Sequence, residues 1–238
     1  MTTIEANLQL VRSRIEQACA QAGRDPRAVR LLAVSKTFDA SAVRQAQAAG
    51  QHAFGENYVQ EGVDKILELR ASGASGPIEW HCIGPLQSNK SRLVAGHFDW
   101  VQSIDRLKIA QRLSEQRPEN LPALQLCIQV NVDGGANKSG VSPAELLALA
   151  EAVAALPRVK LRGLMSVPEP LEGFEAQRAV FLQVKALFDE LNTQGLALDT
   201  LSLGMSDDLD AAVAAGSTMV RVGRAIFGSR PPARAAVA

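Results

Sequence analysis

Eight short apolar runs recur along the chain, and each is followed by a segment with helical spacing. The runs are VRLLAVSK, QHAFGE, IEWHCIG, FDWVQSI, LQLCIQVNV, VKLRGLMSV, LDTLSLG and TMVRVG. Most are continuously apolar and end on Gly, Pro or a polar residue. Strands buried on both faces have this character, as in parallel sheets whose faces are covered by helices.

The segments between them read as helices. SPAELLALAEAVAAL starts with Ser142 as a cap, Pro143 in the first turn and Glu145 at the capping-box position, and Pro157 follows its end. In FEAQRAVFLQVKALFDELNTQG, Val180, Val184, Leu187, Phe188 and Leu191 form one apolar stripe, and Gly195 is a stop signal. DDLDAAVAAG begins acidic and ends on glycine, which suits the helix dipole. DRLKIAQRLSEQ has the same spacing. At the N-terminus, MTTIEANLQLVRSRIEQA carries charges within its apolar spacing, which marks an amphipathic helix and not a signal peptide.

An N-terminal helix followed by about eight strand–helix units predicts an α/β chain folded as a closed (β/α)₈ barrel of the TIM type. A single domain over residues 1–238 is expected, with the added helix at about 3–22, a core at about 28–229 and a loose tail at 230–238. The rival is an open doubly wound sheet. The number of units and the absence of a Gly-x-Gly-x-x-Gly turn after the first strand favour the barrel.

Composition narrows the function. Of 238 residues 47% are hydrophobic and the formal net charge is zero, so no global nucleic-acid binder is indicated. No apolar run approaches membrane-spanning length. Cys19, Cys82 and Cys127 are odd in number and lack metal-ligand spacing, and two of them sit in apolar runs. Buried free thiols in a reducing cytoplasm are expected. No spacing among His52, His81 and His97 suggests a metal site.

Parallel barrels gather function at the C-terminal ends of their strands. Lys36 ends the first. Taken alone it reads as a solvated charge; held partly desolvated, it reads as an amine poised to form a Schiff base. The last two strand ends supply Ser206 at a helix start, then Arg221, Gly223 and exposed backbone amides. Separately these read as a cap, an ion pair and a turn. Together they read as a phosphate cup after strands seven and eight, although Asp207 and Asp208 would repel phosphate unless they point away. An amine at one end and a phosphate cup at the other call for a ligand with an aldehyde and a phosphate. Pyridoxal 5′-phosphate fits, with Arg221 facing its ring nitrogen.

At these residues the chain resembles a known family. LLAVSKT, FGENYVQE, WHCIGPLQSNK, NVDGGANKSG and LSLGMSDDLDAAVAAGSTMVRVGRAIFG together resemble the pyridoxal phosphate homeostasis proteins, single-domain relatives of the alanine racemase barrel. The resemblance runs from about Leu31 to Gly228. It implies pyridoxal phosphate on Lys36 as an internal aldimine, with Ser206 and the Gly223 and Arg224 backbone around the phosphate and Arg221 at the pyridine nitrogen. It places Asn57 near the cofactor and His81 and Met165 at the barrel mouth. The residues alone leave His81 equally open to a hydrogen-bonded core position.

The family role implied is to hold and deliver the cofactor to apo forms of pyridoxal-phosphate enzymes, with effects on amino- and keto-acid balance and no firm catalytic activity. A monomer is expected. Alanine racemase adds a second domain that supplies a tyrosine base, whereas here Tyr58 is the only tyrosine. A weak one-base racemase, working from Lys36, is the alternative, and a sugar-phosphate enzyme forming its Schiff base through Lys36 is a third reading. Lys138, in VDGGANKSG, is a candidate transient amine acceptor during cofactor transfer.

Overall fold

The computed structural model describes residues 2–73, 76–134 and 139–229. Lys138 and the tail at 230–238 lie outside the described residues. Eight parallel strands close into a barrel in sequence order. They are β1 (Arg30–Val34), β2 (Ala53–Glu56), β3 (Glu79–Cys82), β4 (Trp100–Ile104), β5 (Leu124–Gln129), β6 (Val159–Met165), β7 (Thr200–Ser202) and β8 (Met219–Val222). Closure runs through β1 and β8, with Arg30 opposite Met219 and Ala33 opposite Val222. All eight strand–helix units of the sequence reading are present, and the open sheet is excluded.

The helices are α1 (Thr3–Gln21), α2 (Ala40–Ala48), α3 (Val59–Ala71), α4 (Ser91–His97), α5 (Leu107–Gln116), α6 (Pro143–Ala154), α7 (Phe174–Thr193), α8 (Leu209–Ala214) and α9 (Arg224–Phe227). Outward strand residues such as Ala33, Phe54, Trp80 and Val220 join the helices in one continuous core. Inward residues form smaller apolar groups, one of Leu32, Ala53 and Met219, the other of Trp100, Cys127 and Met165. Strand alternation explains the division: successive side chains face helix, then barrel axis. None of the described helices is long and apolar enough to cross a membrane. All three cysteines are unpaired and buried.

Two helix starts show how local chemistry was read from sequence and where it differs. At α1, Thr2 and Glu5 form both bonds of a capping box. At α6, Ser142 is the N-cap and Pro143 begins the helix, but the box does not form. Ser142 Oγ instead donates to the Glu145 carboxylate at 2.5 Å, because a charged acceptor outcompetes the Ser142 hydroxyl's own role as acceptor.

The added helix α1 does more than cover the barrel. It packs against α2, α8 and α9. Arg14 pairs with Asp210 and donates to the Ser206 carbonyl at 2.5 Å, and Asn7 donates to the Ile226 carbonyl at 2.9 Å. The loop after β7 and the helix after β8 are thereby fastened to α1.

Candidate functional site

A cavity of about 620 Å³ opens at the C-terminal ends of the strands. That is within the size range of small-ligand sites, roughly 300–1,000 Å³. Lys36, Asn57, Ser206, Arg221, Gly223 and Arg224 all line it. Six residues separated by up to 188 positions in the chain are thus brought to one place by barrel closure.

Lys36 lies two residues beyond the end of β1 and is half-buried. Both of its neighbours are clamped. Lys65, buried on α3, donates to the Ser35 carbonyl at 2.8 Å, to Glu56 at 2.6 Å and to Glu61 at 2.9 Å. Ser35 Oγ donates to Glu56 at 2.6 Å. On the other flank, the Thr37 amide donates to Glu61 at 2.6 Å. Thr37 has φ +70°, a left-handed conformation that a β-branched residue adopts only when its surroundings impose it. Burial pushes the Glu56 carboxyl up, against the opposing pull of Lys65 and Ser35.

Arg221 is buried yet faces no carboxylate partner among the described residues. Its two terminal nitrogens donate to the carbonyls of Ser202 and Ser166. Burial pulls its pKa down to about 10, with Asp208 acting in the opposite sense, so it stays a cation at neutral pH. Of the acidic pair, Asp208 does not line the cavity, whereas Asp207 does, paired with Arg224. Asp207 reaches out to Arg224 at 3.3 Å, and Asp208 accepts from the Met205 amide at 2.6 Å. Gly223 is the N-cap of α9, and first-turn amides have no acceptor within their own helix. Phe38, just after Lys36, packs on Phe227 of α9 with ring centroids 5.2 Å apart.

Asn57 follows β2 at the cavity wall, and its Oδ1 is buried with no partner. Gly84 makes its position possible, since a Cβ there would lie 2.2 Å from the Asn57 carbonyl oxygen.

Two residues expected at the mouth are elsewhere. His81 is fully buried and stacked on Trp100, and Met165 packs on Trp100 and Cys127; neither lines the cavity. His81 lies one residue before the end of β3 and Met165 ends β6, and both pack against Trp100, so the core reading of His81 is the one the structure gives. Sequence reading passed over Glu56, Glu61 and Lys65. Their signal was a carboxylate ending an apolar run, followed by a Glu–Lys pair four apart.

The sequence model of the family described as "Alanine racemase, N-terminal domain" matches residues 3–231. A Pseudomonas aeruginosa protein named pyridoxal phosphate homeostasis protein is 57% identical, over 97% of each chain. The chain belongs to the pyridoxal phosphate homeostasis protein family. The Escherichia coli pyridoxal phosphate homeostasis protein is 56% identical, over 97% of this chain and 98% of its own. The solved structure of PipY from Synechococcus elongatus, with pyridoxal phosphate bound, has 38% identity and a TM-score of 0.81, covering 94% of this chain and all of that one. In this family member the strand-end motifs converge on the one cavity described above.

Proposed function

We propose that this chain binds pyridoxal 5′-phosphate in the cavity at the strand ends and acts in homeostasis of that cofactor. The observation that carries the reading is the convergence of Lys36 with Ser206, Arg221, Gly223 and Arg224 on one cavity. The names of the relatives and the ligand of PipY point the same way. When bound, the cofactor supplies an aldehyde for an amine to capture and a phosphate for hydrogen-bond donors to hold.

The residues fit the group. Lys36 supplies the amine, and the clamp on Ser35 and Thr37 fixes where it emerges. Ser206 and the backbone at Gly223 and Arg224 supply the donors for phosphate. Arg221, a buried cation facing the cavity without a carboxylate, supplies a donor for the ring nitrogen and keeps that nitrogen unprotonated. The partnerless Asn57 Oδ1 leaves an acceptor at the wall. His81 and Met165 support the site from beneath.

Holding and delivering the cofactor is favoured over catalysis. Racemisation requires proton transfer on both faces of a substrate. The titratable side chains among the described residues lining the cavity are Lys36, Asp207, Arg221 and Arg224, and Asp207 is paired with Arg224. Tyr58 is exposed and does not line it. A single barrel unit in a reducing cytoplasm, delivering cofactor to apoenzymes, completes the proposal.

The test is an absorption spectrum before and after borohydride, with peptide mapping. A yellow protein that bleaches and carries a pyridoxyl group on Lys36 is expected. A colourless protein that takes up no added cofactor overturns the reading and favours the sugar-phosphate alternative.

A further inference from the structure

A chain of hydrogen bonds descends from Arg221 through the barrel interior. Arg221 Nη1 donates to Ser202 Oγ at 2.8 Å, and Ser202 Oγ donates to Gln102 Oε1 at 2.7 Å. Gln102 Nε2 lies 2.9 Å from His81 Nδ1. His81 Nε2 lies 2.7 Å from Glu79 Oε1, which also accepts from Arg30 at 2.8 Å. Ser202, Gln102 and His81 are each 0% exposed. The chain thus links β1, β3, β4, β7 and β8.

Only one set of donor directions satisfies every atom. Glu79 is a carboxylate: burial would raise its pKa, but His81 and Arg30 outweigh that and hold it well below the usual range. It accepts, so the proton of His81 is on Nε2. Burial keeps the ring neutral, so Nδ1 is an acceptor. Gln102 must turn its amide nitrogen to Nδ1 and its oxygen to Ser202. Its second N–H reaches Met219 Sδ at 3.1 Å. The Ser202 hydroxyl then donates downward and offers its lone pairs to Arg221. A fully satisfied buried network of this kind is stiff.

We propose that Gln102 and His81 are positioning residues for Arg221, fixing the Ser202 hydroxyl as an acceptor and so setting the height and tilt of the guanidinium at the cavity. This rests on the reading that pyridoxal phosphate binds with its ring nitrogen toward Arg221. The polarity of the chain, more than its bulk, is what the role requires. Gln102→Leu keeps similar volume and breaks the chain. Gln102→Glu preserves an oxygen for Ser202, and a proton shared between Glu and His81 preserves the link to Nδ1.

The experiment has two independent readouts on wild type, Gln102→Leu and Gln102→Glu. The first is the ¹⁵N–¹H signal of the Arg221 guanidinium in cofactor-free protein. The second is the dissociation constant for pyridoxal phosphate and the ¹⁵N shift of its labelled ring nitrogen. The expected result is a displaced or broadened Arg221 signal in Gln102→Leu, about tenfold weaker binding and a shifted ring nitrogen, all restored toward wild type in Gln102→Glu. A folded Gln102→Leu with wild-type values in both readouts overturns the proposal. Failure of Gln102→Glu to restore them also overturns it, because bulk or packing would then be the cause. If Gln102→Leu does not fold, Ser202→Ala, which keeps both carbonyl contacts of Arg221, is read in the same way. If the wild type takes up no cofactor, the binding reading falls, and the Arg221 signal still decides whether the chain positions that side chain.

Discussion

The Lys65 ammonium lies 2.8 Å from the carbonyl oxygen of Ser35, the residue immediately before Lys36. It is also bonded to Glu56, which is 0% exposed. Removing one partner of a buried ion pair strands the other, at a cost of ~3–5 kcal/mol. Lys65→Met is expected to lower the unfolding free energy by that much, seen as a lower urea midpoint at an unchanged denaturant slope. Adding Glu56→Gln should recover a large part of the loss. Equal destabilisation in the single and double variants would show that Glu56 is not the stranded charge.

The Asn57 backbone leaves no room for a side chain at position 84. Gly84→Ala sets a methyl 2.2 Å from the Asn57 carbonyl oxygen, which is backbone and cannot swing aside. Overpacking of this kind costs ~1–3 kcal/mol. The loss should appear in chemical denaturation, together with weaker ligand binding as the cavity wall at Asn57 shifts. Wild-type stability in this variant would contradict the geometry.

Acid should destabilise the protein from two groups in succession. Burial holds the His81 pKa below its ordinary 6.5, so the unfolded chain takes up a proton that the folded one refuses. Stability therefore falls as pH drops below about 6.5, until the folded ring itself protonates. Glu79 has a folded pKa of about 2 against an ordinary 4.5, so its contribution is complete above 4.5 and is lost as pH falls toward about 2. Glu56 and Asp99, raised by burial, act with the opposite sign. A His81→Gln variant removes the titrating ring, together with its pull on Glu79 and Asp99. Urea midpoints from pH 8 to pH 5 should fall more steeply in wild type; parallel curves would refute the assignment.

Arg221 should not be replaceable by lysine. Its two terminal nitrogens reach the Ser202 and Ser166 carbonyls at once, at 2.6 Å and 2.9 Å. An ammonium lacks that planar fork. Arg221→Lys is expected to leave one buried carbonyl without its donor and to cost ~1–3 kcal/mol by denaturation. It should also weaken pyridoxal phosphate binding. Unaltered values in both measurements would rule out the fork.

The barrel was legible because eight strands buried on both faces cannot disguise their apolar runs, and because Gly and Pro mark their ends. That Lys36, Ser206, Arg221 and Gly223 line one cavity was legible because each falls at or shortly after a strand end, where position implies a shared mouth; Arg224 came from the family resemblance. His81 and Met165 were misplaced for a related reason. A strand reading gives the face a residue takes but not which neighbours cover it, and both pack against Trp100 instead of lining the cavity. The clamp of Lys65, Glu56 and Glu61 was illegible in a different sense. Its meaning depends on α3 lying against the end of β1, a packing relation between elements that periodicity within either one does not contain.

The contact between Phe38 and Phe227 couples the loop that carries Lys36 to the helix that begins at Gly223. Arg14 and Asn7 pin the other side of that assembly to α1. On the proposed reading, the Lys36 amine and the phosphate donors at Gly223 act as two jaws joined through these contacts. An aldehyde without its phosphate touches one jaw, and a phosphate without its aldehyde touches the other. Selection among small carbonyl compounds would then rest on molecular span, tested before any bond is made.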